Sequence, residues 1–458
     1  ARAEAMNDGL FRVEKKLAAQ AMARKELYSP AAQAALYNVR TKEELAKAST
    51  RFPLTAAVDS LGYGGSREFV LMQPKWLASL NDLYRPENLE DIKSYLIIST
   101  LFSTANLLDR ETRGWSVERG NAIMGSSGAV PDEKYAYGMV SAYLGEPLGR
   151  LYAERYADPK TKARIEGFIA KVVGYYRNML HGESWLTEST RNKAVIKLDN
   201  LTVRVSHPDK WEDFSALDFK DTKEGGNLVE AVAAIADFKR LRDIKLVNTK
   251  VDRSKWDVTP QTVNAYYSGS DNSINIPAGI LGGVFYSPAG GEEELLGAIG
   301  MVIGHEITHA FDTNGSQYDE KGNFVNWWTE ADREAFDERA KKISDYFSTI
   351  EVLPGVKADG ELVISEAIAD LGGISCVTAI GREVPGFDFA KFFKAYARLW
   401  RSRKTKEAEE YYLKMDIHPL SYLRTNVNVQ QMPEFYAAFD VKPGDGMYLA
   451  PEKRIALW

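Results

Sequence analysis

The segment GMVIGHEITHAFD at positions 300–312 constrains the fold more than any other part of the sequence. It is apolar around His305, Glu306 and His309, which predicts a buried helix. Histidines four residues apart lie one turn apart on one helix face, where both imidazoles can reach a single cation. Polar groups are costly in such a helix unless something compensates them. The motif is short, so by itself it supports a metal site and an ordinary buried helix equally.

The residues around the two histidines have predictable places on this helix. Glu306 lies about 100° around the helix from His305, where it is expected to act as general base towards a water molecule activated by the metal. Met301 and Val302 precede His305 by four and three residues, so we expect them to line an apolar pocket beside the metal. Asp312 lies on the same stripe, either as a partner of a ligand or as a carboxylate near the helix end.

A second segment, VISEAIADLGG at 363–373, offers a third ligand. A hydrolytic zinc site uses three protein ligands and keeps one position open for water. Glu366 and Asp370 are four residues apart on one face of an otherwise apolar helix, where carboxylates need a partner. We therefore expect Glu366 to bind the metal and Asp370 to accept the distal N–H of a ligating imidazole, that of His305.

A third segment, MDIHPLSYLRTNV at 415–427, contains a histidine before a proline and an arginine six residues later. A histidine held by such a turn can donate to an oxyanion, and an arginine can hold a carbonyl or carboxylate group. His418 and Arg424 are therefore candidates for contact with a substrate. A His-Pro pair alone is typical of a turn, so this segment counts only together with the other two.

The composition argues against several other classes of protein. The net charge of −6 gives no basic footprint, so we expect no nucleic-acid partner. Apolar runs fall short of the roughly 20 residues of a membrane span, and no span is expected in this chain. Cys376 is the one cysteine, so no internal disulfide can form, and its apolar surroundings are typical of a buried, inert thiol.

The pattern along the chain predicts a mainly α protein of the α+β class. Residues 1–205 show apolar positions at spacings of three and four, and the composition changes near 202–222. We therefore expect a mainly helical domain over 1–205 and a second domain over 206–458. Within the second, VNAYYSGSDNSINIPAGIL at 263–281 predicts a hairpin. Helices are predicted over 291–313, 329–347, 362–381 and 388–402.

Five segments in one order resemble a known family. The sequence is similar to the neprilysin/endothelin-converting enzyme family of zinc metallopeptidases, which are gluzincins, and most similar to a bacterial member. The resemblance covers most of 90–458, and five ordered motifs are far more specific than one histidine motif. The motifs are VNAYYSGSDNSINIPAGIL, GAIGMVIGHEITHAFD, ISEAIADLGG, HPLSYLR and MYLAPEKRIALW.

The resemblance implies a thermolysin-like zincin catalytic domain with a small β-sheet, and a helical lid domain enclosing a central cavity. It implies one Zn²⁺ ion as cofactor and short peptides as substrates. Family members are longer, so we expect that an N-terminal portion of the lid is missing from this chain or supplied as a separate segment. We expect an extracytoplasmic location in a bacterium, whether secreted, periplasmic or at the cell surface, with the cytoplasm as the alternative.

The resemblance also assigns roles to individual residues. It implies zinc ligation by His305, His309 and Glu366, and catalytic roles for Glu306 as general base, His418 at the tetrahedral intermediate and Asp370 in orienting the first histidine. Asn264 and Ala265 would hydrogen-bond the substrate backbone, and Arg424 would contact the substrate. The apolar pocket for the residue after the cut would be formed by Ile280, Phe285, Met301, Val302 and Trp400.

These expectations combine into one function and its alternatives. We expect a zinc-dependent endopeptidase that cleaves short peptides before a bulky hydrophobic residue (P1′), with extended substrate pairing against an edge strand around 273–277. A metzincin would need a third histidine soon after the motif, and HEITHAFDTNGSQ has none. The alternatives are a non-catalytic peptide-binding protein and an incomplete chain that needs an N-terminal portion for activity.

Overall fold

The computed structural model describes residues 2–457, apart from the side chain at position 30, and the chain forms two compact units. The first comprises Ala1–Leu144 and Asp213–Asp252, and the second Gly145–Glu212 and Arg253–Trp458. The chain is 59% helical with small sheets, which confirms the mainly α prediction. The division differs from the boundary expected near 205, because the helices that follow residue 145 contribute apolar side chains to the core of the second unit.

The first unit consists of helices joined by short loops. Two of its long helices, α1 and α7, are held together by Arg12, which donates to both carboxylate oxygens of Asp91 at 2.8 and 2.7 Å. The elements are α1 (Arg2–Ala18), α2 (Arg24–Leu27), α3 (Pro30–Leu36), β1 (Val39–Arg40), α4 (Lys42–Ala48), α5 (Leu54–Ser60), β2 (Phe69–Val70), α6 (Pro74–Leu83), α7 (Leu89–Thr104), α8 (Arg110–Met124) and α9 (Asp132–Tyr143). Strands β1 and β2 pair antiparallel.

Helix α7 leaves part of its apolar surface exposed. Leu96, Ile97, Leu101 and Phe102 are all about half exposed or more, although a helix this apolar is usually buried. The exposed face does not identify what covers it, so the expected N-terminal segment stays a prediction.

The next helices belong mostly to the second unit. They are α10 (Gly145–Tyr156), α11 (Pro159–Gly182) and α12 (Glu188–Asp199), followed by β3 (Thr202–Ser206), whereas α13 (Leu228–Ile244) belongs to the first unit. Helix α11 begins where Asp158 accepts the backbone N–H of Thr161 at 2.9 Å, with Pro159 in its first turn, a favourable start for a helix. Its buried stripe includes Ile165, Val172 and Tyr176, at the spacing of one helix face.

The remaining elements complete the second unit. They are β4 (Tyr266–Ser268), β5 (Ser273–Pro277), α14 (Glu292–Leu295), a π-helical turn (Leu296–Gly300), α15 (Met301–Thr308), α16 (Glu330–Thr349), β6 (Glu351–Leu353), β7 (Val356–Lys357), α17 (Ile364–Arg382), α18 (Phe389–Leu399), α19 (Lys406–Met415), α20 (Ser421–Val429) and α21 (Pro433–Phe439). The predicted helices are all present. The first of them differs from the prediction because a π turn interrupts it and α15 ends at Thr308.

The three-stranded sheet of the second unit has the order β3-β5-β4. Strand β5 pairs parallel with β3 and antiparallel with β4, so the predicted hairpin is present as β4 and β5. The expectation that an extended substrate pairs with strand 273–277 is wrong. Both sides of that strand are already hydrogen-bonded to neighbouring strands, and β4 lies at the edge of the sheet instead.

Helices α15 and α17 form the centre of the second core. They approach closely because glycines face each other: a Cβ on Gly304 would lie 3.0 Å from Cα of Gly373, and one on Gly372 would lie 2.5 Å from the side chain of Thr308. Any side chain at these glycines would push the helices apart. The glycines therefore set the distance between the two helices that carry the predicted ligands.

Helix α17 is apolar along almost its whole length. By length and composition it is the one helix within residues 2–457 that could cross a membrane, and 89% of the window that meets this test is buried in the protein, as in a core helix. Cys376 on this helix is buried, and burial raises the pKa of its thiol well above the ordinary value. A thiol in this state is a poor nucleophile, as the sequence predicted.

Candidate metal centre

Three donor atoms from α15, its C-terminal end and α17 lie within 3.7 Å of one another. Nε2 of His305 is 3.1 Å from Nε2 of His309, and Oε2 of Glu366 lies 3.3 and 3.7 Å from these two nitrogens. Tetrahedral coordination with ligand bonds of about 2.0–2.2 Å places donor atoms roughly 3.3–3.6 Å apart. The three predicted ligands are thus brought together at the separation that a single zinc ion requires.

The chemistry of this donor set also fits a cation. Oε2 of Glu366 is buried and accepts no hydrogen bond within residues 2–457, and such orphaned acceptors are costly unless something binds them. Glu306 is a second nearby carboxylate, with donor atoms in reach of both histidines. Its Oε1 is 4.0 Å from Nε2 of His305, whereas Oε2 of Glu366 is 3.3 Å from the same nitrogen. The other oxygen of Glu306 already accepts the backbone N–H of Tyr267. Glu366 is therefore the better ligand and Glu306 remains available to act as a base.

Carboxylates dominate the electrostatics of the centre. Burial lowers the pKa of His309, but Glu366, Asp312 and Glu306 outweigh it and raise that pKa to about 10. Burial raises the pKa of Glu366, but His309 and the imidazoles near it hold it below its usual range. The field that favours a proton on these imidazoles also favours a metal cation in its place.

Asp370 holds the first histidine and is itself held by an arginine. Its Oδ1 lies 2.8 Å from Nδ1 of His305, which leaves Nε2 for the metal. Arg424 donates to both carboxylate oxygens of Asp370, at 2.8 and 2.7 Å, and its guanidinium lies 3.7 Å from the ring centroid of Trp400. Burial raises the pKa of Asp370, but Arg424 and His305 outweigh it, so the pKa is lowered. The predicted contact of Arg424 with substrate stays a prediction, and its observed partner is Asp370.

Asp312 holds the second histidine, His309, through its Nδ1. Its Oδ2 lies 2.6 Å from Nδ1 of His309 and accepts the hydroxyl of Ser365. Its Oδ1 accepts the backbone N–H groups of Asn314 and Gly315 at 2.8 and 2.6 Å. Of the two interpretations that the sequence left open for Asp312, the structure therefore favours the first: Asp312 is the partner of His309, a predicted ligand. Ser365 had no sequence signal.

Glu306 is fixed by the edge strand. Its Oε2 accepts the backbone N–H of Tyr267 at 2.9 Å, and Tyr267 lies in β4. Within residues 2–457 Oε1 of Glu306 accepts no hydrogen bond, and it lies 4.0 Å from Nε2 of His305. Asn264 is exposed and Ala265 is buried immediately before this strand, so the structure places the two predicted backbone-binding residues next to the strand that holds Glu306.

His418 lies beside the donor atoms and has its own carboxylate partner. Its Nε2 is 3.2 Å from Oε2 of Glu366, and its side chain is 41% exposed. Asp416 accepts from Nδ1 at 2.7 Å and from the backbone N–H of His418 at 3.0 Å. The sequence reasoning missed Asp416, although an aspartate two residues before the histidine was a readable signal.

The predicted apolar pocket is only partly brought together. Ile280, Met301 and Val302 are buried in the core, with Met301 0% exposed, and its sulfur packs against Gly373 of α17. Phe285 lines a cavity of about 240 Å³ whose other walls include Val284, Glu294, Leu295, Ala298 and Arg398. Met301 and Val302 therefore help to hold the ligand helix in the core, and their place in a P1′ pocket stays a prediction.

Comparison with known proteins identifies the family of this chain. Two models of peptidase family M13 match the chain, one over residues 1–208 and the other over 264–455. The chain belongs to peptidase family M13. The predicted neprilysin-type family is thereby confirmed.

Individual M13 proteins show how close the similarity is. A neutral endopeptidase of Lactobacillus helveticus is 33% identical over 426 residues, which are 93% of this chain and 65% of that protein. The crystal structure of PepO from Lactobacillus rhamnosis HN001 superposes with a TM-score of 0.93 at 30% identity, covering 99% of this chain and 71% of that one. The zinc metalloprotease Zmp1 of Mycobacterium tuberculosis, in complex with inhibitor, gives a TM-score of 0.91 at 30% identity, with 98% and 70% covered.

The length of the relatives limits what carries over from them. This chain spans 61–65% of the length of the neutral endopeptidases from Lactobacillus helveticus and Lactococcus lactis. Family membership therefore describes the fold, and the activity of the chain is a separate proposal.

Proposed function

We propose that this M13 chain is a zinc-dependent endopeptidase that hydrolyses short peptides. The observation that carries the proposal is the triangle of Nε2 of His305, Nε2 of His309 and Oε2 of Glu366. Oε1 of Glu306 and the imidazole of His418 lie beside it. Three ligands with a base and a polar donor next to them are the set that metal-assisted peptide hydrolysis needs. The restriction to short peptides rests on the family resemblance.

The residues divide the reaction between them. A bound zinc ion supplies Lewis acidity that makes water a nucleophile near neutral pH and polarises the scissile carbonyl. Oε1 of Glu306 takes the proton of the attacking water and later gives it to the leaving amine, while the N–H of Tyr267 holds the other oxygen. With protons on both ring nitrogens, His418 donates from Nε2 to the developing oxyanion. Asp416 accepts from Nδ1, which favours this protonated form and keeps Nε2 towards the centre.

We propose that the substrate lies along β4. This strand is at the sheet edge, and an extended peptide can add to an edge strand by backbone hydrogen bonds. In this proposal Asn264, which is exposed just before β4, anchors the peptide backbone beside Glu306, which that strand holds. The preference for a bulky hydrophobic P1′ residue belongs to the same proposal, with Phe285 and Trp400 as the pocket residues that are not fully buried.

The proposal is tested by zinc content together with peptide cleavage. The purified chain is expected to hold about one zinc per chain and to cleave a quenched fluorogenic peptide before Phe or Leu, with the cut located by mass spectrometry. Chelator is expected to abolish cleavage, and added zinc to restore it. Binding of zinc and peptide without cleavage would instead support a peptide-binding protein. Activity that appears only on adding an N-terminal portion of a longer M13 relative would support the incomplete-chain alternative.

The partner of His418 provides a sharper test of the transition-state assignment. Asp416→Asn removes the negative charge next to Nδ1 but keeps the shape, so kcat is expected to fall by about 10- to 100-fold, as for the loss of a supporting partner elsewhere. KM and zinc content are expected to stay unchanged. Asp440→Asn is the control, since Asp440 is an exposed carboxylate paired only at the surface with Lys442. An unchanged kcat in Asp416→Asn would contradict the role of Asp416.

A further inference from the structure

Lys197 on α12 is a buried lysine for which the reaction described above has no use. It is 1% exposed, and its Nζ donates to the backbone carbonyls of Ala310, Gly315 and Tyr318 at 2.8, 2.6 and 2.7 Å. These three bonds use all three N–H groups of an ammonium. Burying a lysine this deeply is unfavourable unless every donor is satisfied, so the site is built around the charged side chain.

The three carbonyls belong to the turn that follows the ligand helix. Helix α15 ends at Thr308, and the three carbonyls belong to residues that follow this end. A cation beyond the C-terminal end of a helix interacts favourably with the helix dipole. Burial lowers the pKa of Lys197 to about 7, and the carboxylates of Asp312, Asp319 and Glu320 act in the opposite direction.

The same turn positions the partner of a predicted ligand. Asp312 accepts from Nδ1 of His309 at 2.6 Å, and its other oxygen is held by the N–H groups of Asn314 and Gly315. Lys197 holds that turn at Ala310 before Asp312 and at Gly315 after it. Its ammonium thus fixes both ends of the segment that determines where the carboxylate of Asp312 lies.

The backbone of Lys197 reaches the other side of the centre. Its carbonyl accepts Nδ2 of Asn272 at 2.9 Å, and Oδ1 of Asn272 accepts the hydroxyl of Tyr267 at 2.9 Å. The N–H of Tyr267 in turn holds Glu306. This connection to Glu306 starts from the main-chain carbonyl of Lys197, so a change of the side chain leaves it in place. Such a change therefore tests only the contacts of the ammonium with the turn 310–318.

We propose that Lys197 is a positioning residue for the metal centre, which holds the turn 310–318 so that Asp312 fixes the ring of His309 for metal binding. The proposal rests on His309 being a ligand, as in the proposed function. It differs from a general role in stability because it predicts coupling between Lys197 and Asp312 in metal affinity.

The test measures metal binding rather than activity. Lys197→Met keeps the length of the side chain and removes its donors, and zinc affinity, measured by competition with a chromophoric chelator, is expected to fall by about 10- to 100-fold. The visible spectrum of the cobalt-loaded protein is expected to change, since it reports the arrangement of the ligands. Lys193→Met is the matched control, because Lys193 is exposed one turn earlier on α12 and donates to Trp327. It should match wild type.

A double-mutant cycle separates positioning from folding. Asp312→Ala is expected to weaken zinc binding, and adding Lys197→Met to it should cause little further loss, because both act through His309. Additive losses, or a lower Tm of the metal-free protein with unchanged zinc affinity and cobalt spectrum, would overturn the proposal. Lys197→Gln, which keeps two N–H donors, takes the place of Lys197→Met in the cycle if the latter does not fold. A wild-type chain that binds no zinc would refute the proposed function itself.

Discussion

Glu306→Gln is expected to lower kcat by about 10²- to 10⁴-fold while zinc stays bound, because the change removes a general base and no ligand. The amide can still accept the N–H of Tyr267, which now holds Oε2 at 2.9 Å, so the local structure should persist. Three measurements check this expectation: turnover of the fluorogenic peptide, zinc content by atomic emission and the affinity for uncleaved peptide. Peptide binding should be retained, since the edge strand is intact.

The control for this experiment is Glu334→Gln on α16, where the carboxylate is exposed. It is expected to match wild type in all three measurements. Retention of full turnover by Glu306→Gln would remove Glu306 from the mechanism. Loss of zinc from this variant would instead make Glu306 a ligand, as its donor atom near the two histidines would allow.

Glu366→Gln is expected to weaken zinc binding by more than about 100-fold, because loss of a mere supporting partner already costs about 10- to 100-fold. Its buried Oε2 accepts no hydrogen bond within residues 2–457 and carries negative charge, whereas the amide of glutamine offers the metal no charge. Peptide cleavage should fall with zinc occupancy and recover in part at high zinc concentration. Chelator competition and activity titrated with zinc measure both effects.

Stability distinguishes this variant from a misfolded one. Zinc binds the folded chain and raises its Tm by mass action, so wild type should gain thermal stability with zinc and Glu366→Gln should gain much less. The metal-free proteins should melt at similar temperatures. An unchanged zinc stoichiometry at limiting zinc would exclude Glu366 from the ligand set. The two variants are thus expected to differ. Glu306→Gln loses peptide cleavage but keeps zinc, and Glu366→Gln loses both zinc and peptide cleavage.

Local helix geometry explains why much of the centre was predictable. The pairs His305 with His309 and Glu366 with Asp370 are four residues apart, and a helix places such pairs on one face whatever surrounds it. Their apolar neighbours predict that both helices are buried. The His-Pro turn marked His418, although its partner Asp416 was overlooked two residues upstream.

Features that depend on distant segments were not predictable in this way. Strand β5 was expected at an edge, but β3 pairs with it in parallel across a long connection, and no local pattern encodes such a pairing. Met301 and Val302 were expected to line a pocket beside His305, but both are buried, and Met301 packs against Gly373 of α17. Lys197 looks like any helix lysine in the sequence, and only the packing of α12 under the turn 310–318 gives it three carbonyl partners.

The sequence by itself determined which residues share a helix face, which chemistry they can supply and, through five ordered motifs, the family. The tertiary structure decided which faces meet. It brought Glu366 within 3.7 Å of both imidazoles, gave Asp370 its arginine and Asp312 its serine, and put β4 at the edge beside Glu306. The physical reason is that helix periodicity is fixed by hydrogen bonds between near neighbours, whereas the approach of α15 to α17 depends on glycines that let two distant segments pack closely.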